Sequence, residues 1–263
     1  MNSDERSRIV KRADQLMDKV IEDERASGKF DRRNFLRLGS LTLGGALLSA
    51  CNSTGPAWAD RWLNYAEKKN ETVERWLFTK SSLNNGSPKA KIAGDKFPSY
   101  FVSKTVPKWD YAKGPWSIEI GGAVKNPVKM SLDDLMKVSS KRQRVDHFCV
   151  EGWTAVEILT GAPMTEIARI VQPTSDAQYV DFQSFDDGYH ESWDIDSALH
   201  SQTIVAYAKE DMLLTPAYGA PARIHSPTKL GYKNTKYLTK IVFMPQRNGG
   251  YWTDLGYEWY GGT

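Results

Sequence analysis

The sequence predicts an α+β fold. Segments with the alternating pattern of strands outnumber segments with helical periodicity, and the two kinds are not regularly interleaved. Such an order favours segregated sheets and helices over a doubly wound parallel sheet. Hydrophobic residues are 40% of the 263 residues and charged residues 25%, the usual balance of a globular protein. The net charge of +3 is too small to indicate a nucleic-acid partner.

The predicted elements run along the whole chain. Ser131 is a candidate helix N-cap, and Asp133 and Asp134 favour the first turn of the helix behind it. Gly121 and Gly122 predict a turn after a strand. The predicted strands are residues 116–120, 128–130, 143–148, 178–184, 203–208, 222–225 and 237–244, and the predicted helices are residues 60–78, 132–138, 155–159, 164–171 and 194–199.

Three parts of the chain differ in composition. Residues 1–59 form a charged extension that ends in an export-signal pattern, residues 60–98 a helix and a linker, and residues 99–263 the main domain. The pair Arg32-Arg33, followed by Phe35 and Leu36, resembles a twin-arginine signal, and no charged residue lies in 38–59. The apolar core is shorter than the roughly 20 residues of a spanning helix, which favours a cleaved signal.

Two cleavage interpretations compete. Cys51, directly after Leu48-Ser49-Ala50, resembles the cysteine of a lipobox, which would be acylated and anchor the protein to the membrane. Residues 57–59, Ala-Trp-Ala, resemble a signal peptidase site that would release a soluble protein. The lipobox is favoured, with an uncleaved membrane helix as a third option. The predicted location is periplasmic or at the cell surface, after transport by the twin-arginine translocase.

Cys149 is one of only two cysteines. The β-favouring run 143–148 would carry its sulfur to the end of a strand, and Gly152 would let the backbone turn. A thiolate placed there could hold a soft metal. A lone cysteine is also often a small buried hydrophobe, so both interpretations stay open at this point.

Several motifs in order resemble the sulfite oxidase family of molybdopterin enzymes. They cover residues 102–262 and comprise His147-Phe148-Cys149-Val150-Glu151-Gly152-Trp153, Tyr179-Val180-Asp181-Phe182, Asp186-Asp187-Gly188-Tyr189, Gly219-Ala220-Pro221-Ala222-Arg223, Gly231-Tyr232-Lys233-Asn234-Thr235-Lys236 and Gly250-Tyr251-Trp252. The resemblance implies a sulfite oxidase-type domain with mixed sheets, a barrel-like β core and short helices. It also implies a molybdenum-molybdopterin cofactor whose metal is bound by Cys149.

The resemblance further implies a set of site residues. Arg223 would clasp the phosphate of the pterin, because a guanidinium binds a phosphate bidentately. Tyr189 and His190 are candidate catalytic residues beside Cys149, although His190 and His225 could be ordinary hydrogen-bonded histidines. The lysines at 229, 233, 236 and 240 could equally form a solvated loop. The implied cofactor-binding residues are Tyr100, Cys149, Ser184, Tyr218, Arg223, Asn234, Thr235 and Lys236.

The implied activity is oxygen-atom transfer to or from a small sulfur or nitrogen oxo compound, by sulfite oxidation or S- or N-oxide reduction. The sequence contains no CxxCH haem motif, so electrons would be exchanged with a separate partner such as a haem membrane protein or a cytochrome. A cupredoxin-like copper site fits poorly, because the next histidine after Cys149 is His190. A non-catalytic lipoprotein that keeps the fold as a binding module is the alternative.

Overall fold

The computed structural model describes residues 57–78, 91–186 and 188–263. Helix α1, Ala57–Leu77, confirms the first predicted helix. It carries an i,i+4 ion pair between Arg75 and Glu71 at 2.9 Å, and Trp76 is largely exposed. The predicted extension and signal cover residues 1–59, of which residues 1–56, with both arginines and Cys51, lie outside the described residues. Among the helices of the described ranges, none is both long and apolar enough to cross a membrane.

The described residues after α1 form ten strands and four further short helices, with single 3-10 turns between them. The predicted α+β class is confirmed. The strands are β1 Ser117–Gly122, β2 Val128–Ser131, β3 Lys141–Phe148, β4 Thr154–Pro163, β5 Tyr179–Ser184, β6 His190–Asp194, β7 Ile204–Lys209, β8 Met212–Leu213, β9 Arg223–His225 and β10 Leu238–Met244. The helices are α2 Leu132–Lys137, α3 Met164–Val171, α4 Ile195–Ala198 and α5 Tyr251–Asp254.

The strands form two five-stranded sheets. The first has the order β2-β1-β10-β5-β6, in which only β1 and β10 are parallel. The second has the order β3-β4-β7-β8, with β9 also paired to β7, and is antiparallel throughout. The main core takes side chains from both sheets, among them Ile118, Phe182, Val205 and Ile224.

The second sheet has a further buried face. Successive side chains of a strand point to opposite faces, so the side chains that do not face the main core pack together on the other face. They form a smaller apolar cluster of Val145, Leu159, Ile204 and Ala206. Polar side chains continue this face toward the end of β3, where Cys149 follows the strand. The two faces of the sheet therefore have different roles, because one packs the core and the other leads to the candidate site.

Two helices form at the predicted positions, and the first of them along the chain is capped as the sequence predicts. Helix α3 matches its prediction of residues 164–171. At α2 the Ser131 hydroxyl accepts a hydrogen bond from the Asp134 amide, and the Asp134 carboxylate accepts one from the Ser131 amide. This capping box satisfies two amides that the first helical turn leaves without partners.

Other predictions were wrong. Residues 155–159 are not a helix but part of β4, which pairs with β3 along its length and with β7 at its end. Gly121 and Gly122 lie within β1 rather than in a turn. Strand β6 was not predicted, because Glu191 and Asp194 obscure its pattern. The solvated-loop interpretation fails for Lys229 and Lys233, which are both buried.

Candidate active site

A cavity of about 310 Å³ opens beside the end of β3. It is lined by aromatic rings and by cationic and hydrogen-bonding groups. Among the predicted site residues, it brings together Tyr100, Cys149, Tyr189, Arg223, Asn234 and Lys236. A mixed apolar and polar lining with a few convergent polar groups is typical of a binding site for a small ligand or cofactor.

Cys149 reaches the cavity through a tight turn. Its amide donates to the Trp153 carbonyl at 2.9 Å, and the Gly152 amide donates to the Cys149 carbonyl at 3.0 Å. Gly152 has a φ of 86°, a left-handed conformation that glycine adopts without strain. The Cys149 side chain is partly exposed and forms no disulfide with any described residue. The turn therefore presents the thiol to the cavity, as the run before it predicted.

Arg223 forms the cationic wall of the cavity. Its side chain is only 2% exposed, and burial lowers its pKa. One guanidinium nitrogen approaches the Asn234 carbonyl at 3.5 Å, while Nε makes no hydrogen bond with any described residue. A buried guanidinium with unused donors is costly unless an anion completes its contacts. Arg223 is therefore a site for an anionic group.

Lys236 lies next to this wall. Its Nζ donates to the Tyr100 carbonyl at 2.7 Å and to the Ala217 carbonyl at 3.2 Å. Burial, followed by repulsion from Arg223, lowers the pKa of Lys236 to about 7. Because a nearby anion would favour the charged form of both side chains, Arg223 and Lys236 together suit a phosphate.

The loop before β10 is shaped by Asn234. Its side-chain oxygen accepts from the Ser226 amide at 2.7 Å, and its nitrogen donates to the carbonyls of Lys229 and Leu230 at 3.0 and 3.1 Å. These bonds position the loop on the cavity and use both donor hydrogens of the Asn234 side chain. Thr235 is buried and does not line the cavity, and its hydroxyl has no hydrogen-bond partner among the described residues.

Two tyrosines lie at different depths. Tyr100 is 59% exposed at the rim, where its ring stacks on Trp153 at 6.3 Å between centroids. The Tyr189 hydroxyl donates to the Tyr232 carbonyl at 2.6 Å, and its ring stacks on Tyr251. Burial raises the pKa of Tyr189 well above its usual value, so its hydroxyl stays protonated.

Besides Thr235, three predicted residues do not line the cavity. His190 is hydrogen-bonded to buried Asp181 at 2.9 Å, and this bond raises the pKa of the imidazole. The Ser184 hydroxyl accepts from the Asp186 amide at 2.8 Å. Tyr218 packs under the Lys209 ammonium, 4.9 Å from its ring centroid. His190 thus fits the hydrogen-bonded alternative, and its catalytic role stays a prediction.

Two further residues of the cavity wall were not predicted as site residues. Asp186 was quoted only as part of a turn-like family motif, yet it is buried, lines the cavity and accepts hydrogen bonds from the Val102 amide and the Ser103 hydroxyl. The Tyr237 hydroxyl is buried without a hydrogen-bond partner in the described ranges, and burial raises the pKa of Tyr237 to about 12. Their positions directly within or after the quoted motifs were the available signal.

Comparison with known proteins decides the family. The family described as "Oxidoreductase molybdopterin binding domain" matches residues 103–252. The chain belongs to this family. A protein of Azospira oryzae named "Putative protein-methionine-sulfoxide reductase subunit YedZ1" is 36% identical over 253 residues, which cover 94% of this chain and 95% of that protein. The protein is therefore a molybdopterin-dependent oxidoreductase whose cofactor is molybdenum-molybdopterin.

Further relatives of this molybdopterin oxidoreductase are named catalytic subunits. The protein-methionine-sulfoxide reductase catalytic subunit MsrP of Ralstonia nicotianae is 28% identical and covers 88% of this chain and 73% of its own length. The corresponding protein of Xanthomonas axonopodis is 33% identical over 56% of this chain and 50% of its own length. A crystal structure of the sulfane dehydrogenase SoxCD from Paracoccus pantotrophus has a TM-score of 0.47 at 14% identity, over 50% of this chain and 38% of that chain.

The residues of the cavity fit a molybdopterin cofactor. The unused Nε of Arg223 and the unpartnered hydroxyl of Tyr237 are buried polar atoms of the cavity lining that a polar ligand could satisfy. Cys149 would bind the metal through its thiolate, a soft ligand that suits molybdenum. Arg223 and Lys236 would hold the phosphate, and the loop fixed by Asn234 would support them.

Proposed function

We propose that this oxidoreductase reduces a sulfoxide to a thioether, with methionine sulfoxide as the substrate class. The single observation that carries the proposal is the position of Cys149 in a cavity with aromatic walls, in a chain whose relatives are named methionine-sulfoxide reductases. A thioether makes favourable contacts with aromatic rings, so an aromatic cavity suits a sulfoxide substrate whose product is a thioether. In the balanced reaction a sulfoxide takes up two electrons and two protons and yields a thioether and water.

The chain contributes positioning and electrostatics. The cofactor supplies the two-electron chemistry when it is bound. Cys149 ligates its metal, and Arg223 and Lys236 hold its phosphate. The rings of Trp153, Tyr100 and Trp252 line the cavity and keep water from part of it. The Asp186 carboxylate fastens residues 102 and 103 against the cavity and so orders the rim through which the substrate passes.

A steady-state assay tests the activity. Molybdenum-loaded protein is supplied with a reduced viologen and methionine sulfoxide, an aromatic N-oxide or no substrate, and separately with sulfite and ferricyanide. We expect reduction of methionine sulfoxide at a rate well above that of the N-oxide. Sulfite oxidation without sulfoxide reduction would assign the opposite direction of oxygen transfer. Full molybdenum loading with no turnover in any arm would favour the binding module.

The proposal extends to export and to a partner. We expect the twin-arginine translocase to carry the protein to the periplasm or cell surface, where a separate haem-bearing membrane protein or cytochrome supplies electrons. Changing Arg32 and Arg33 together to Lys should retain the protein in the cytoplasm, as fractionation would measure. Changing Cys51 to Ala should release it from the membrane fraction if that cysteine carries the lipid anchor. Normal export of the double variant contradicts the signal, and membrane attachment of the Cys51 variant contradicts the anchor.

A further inference from the structure

Three potential metal ligands meet behind the cavity, on the second face of the second sheet. They are His147 of β3, Glu157 of β4 and His225 of β9, and one ligand atom from each lies within 4.8 Å of the others. Glu157 Oε1 is 3.8 Å from His147 Nδ1 and 3.4 Å from His225 Nε2. Three strands that are distant in sequence thus place two imidazoles and a carboxylate together.

The cluster is buried and its polar atoms lack hydrogen bonds. His147 is 7% exposed, Glu157 1% and His225 0%. Within the part of the chain that the structure describes, no hydrogen bond reaches His147 Nδ1, Glu157 Oε1 or either ring nitrogen of His225. Buried polar groups in folded proteins nearly always have a partner, so three unpartnered ligand atoms close together, one each from His147, Glu157 and His225, indicate a missing ligand.

We propose that His147, Glu157 and His225 bind a divalent metal ion, with Zn²⁺ as the preferred ion. Two histidines and one carboxylate form an established zinc-binding set, with ligands at about 2.1 Å from the metal. Tetrahedral ligands at that distance are about 3.4 Å apart, whereas adjacent octahedral ligands are about 3.0 Å apart. The two separations from Glu157, 3.4 and 3.8 Å, are closer to the tetrahedral value, and all three ligand atoms lie within 4.8 Å of one another.

The site adjoins the cofactor cavity and shares only His147 with its lining. Glu157 and His225 do not line the cavity, although His147 does. A Cβ on Gly231 would lie 2.6 Å from His147 Nε2, so the loop backbone packs against that edge of the ring while Nδ1 faces Glu157. A metal here would join β3, β4 and β9 directly behind the Cys149 turn. Its role is to support that turn rather than to take part in the redox chemistry.

The charge around the cluster sets the conditions of the test. Arg223, Lys209 and Lys236 act electrostatically on Glu157, and the same cations would repel a metal ion. The phosphate of the cofactor offsets Arg223 and Lys236, so metal binding should be strongest in cofactor-loaded protein. Without a metal, the cluster could instead be held by a protonated Glu157 that shares its proton with an imidazole, and this is the alternative that the experiment distinguishes.

The experiment measures zinc and molybdenum together in the full chain. Cofactor-loaded protein is dialysed against EDTA, which removes surface-bound ions, and both metals are determined by mass spectrometry. We expect about one zinc per chain in the wild type and at least a tenfold lower content in Glu157→Gln, a substitution that keeps the shape and removes the charge. The control His200→Asn changes a buried histidine outside the cluster and should keep its zinc.

A second measurement needs no variant. The wild type is stripped with a stronger chelator and reloaded with Co²⁺, for which tetrahedral nitrogen and oxygen ligation gives intense visible absorption. Each of three results would overturn the site: a wild-type zinc content well below one-tenth of an ion per chain, a zinc content that is unchanged in Glu157→Gln, or a weak Co²⁺ spectrum of the octahedral type. The molybdenum content and the sulfoxide assay of the same samples test the proposed function separately, so either account can fail alone.

Discussion

The backbone amide of Cys149 donates a hydrogen bond to the Trp153 carbonyl at 2.9 Å, and this bond closes the turn that holds the thiol at the cavity. The left-handed Gly152 completes the turn, so the position of the sulfur is set by the backbone rather than by its own packing. Replacing the sulfur atom should therefore leave the fold intact but abolish the chemistry.

Replacing Cys149 with Ser tests this separation. We expect the free energy of unfolding to change by about 1 kcal/mol or less, because the side chain is partly exposed. Turnover should fall by more than about 100-fold, because an alkoxide is a harder ligand than a thiolate and changes the potential of the metal. Chemical denaturation and the viologen assay measure the two effects. The control Met136→Thr, at an exposed position outside the cavity lining, should keep both near the wild type, and wild-type turnover in Cys149→Ser would remove its role as a ligand.

Arg223→Met should separate cofactor retention from stability. Loss of a charge-assisted contact to a phosphate removes about 1.5–3 kcal/mol, so cofactor affinity should fall roughly 10- to 100-fold. The cofactor-free protein should be as stable as the wild type or more stable, because the variant removes a buried charge with unused donors. Molybdenum content and thermal unfolding measure this. Arg142→Met, at an exposed ion pair with Asp211, is the control, and unchanged cofactor content in Arg223→Met would contradict the phosphate site.

The pKa of Lys236 makes stability depend on pH. In the folded protein it is lowered to about 7 from the ordinary 10.5. Between these values the unfolded chain binds more protons than the folded chain, so stability rises with pH in that window. In cofactor-free protein, the stability of Lys236→Met relative to wild type should be highest below pH 7 and should decline toward pH 10. Thermal unfolding from pH 6 to 9.5 measures the difference, and a constant difference would show that Lys236 keeps its proton.

The buried pair of Lys233 and Glu191 should be needed as a pair. Their atoms are 2.6 Å apart and both side chains are fully buried, and Glu191 also accepts the Trp252 amide at 2.9 Å. Lys233→Met leaves a buried carboxylate without its cation and should cost about 3–5 kcal/mol. The double variant with Glu191→Gln keeps an acceptor for Trp252 and should recover most of that loss. Urea unfolding measures both, and additive losses would contradict the pairing.

The sequence predicted the fold class and the strand that leads to Cys149 because those signals are local. Helical periodicity marked residues 164–171, Ser131 and Asp134 marked a cap, and the run before Cys149 marked a strand. Cavity residues Arg223 and Lys236 came from the family resemblance, since nothing local shows that their cations would face the same space as a thiol.

The remaining features depend on contacts between distant parts of the chain. Residues 155–159 have helix-favouring side chains, but pairing with β3 and β7 overrides that preference. Lys229 can be buried because its ammonium donates hydrogen bonds to the Asp194 carboxylate and the Tyr260 carbonyl, which are both distant from it in the sequence. Glu157 joins His147 and His225 only after three strands align, so no spacing in the sequence could reveal that cluster.

The most direct test of the account is X-ray absorption at the molybdenum edge, on wild type and Cys149→Ser loaded with the cofactor. We predict one fewer sulfur neighbour around molybdenum in the variant, with unchanged molybdenum content and an intact fold. An identical number of sulfur neighbours in the two proteins would show that Cys149 is not the ligand and would contradict the assignment of this cavity as the active site.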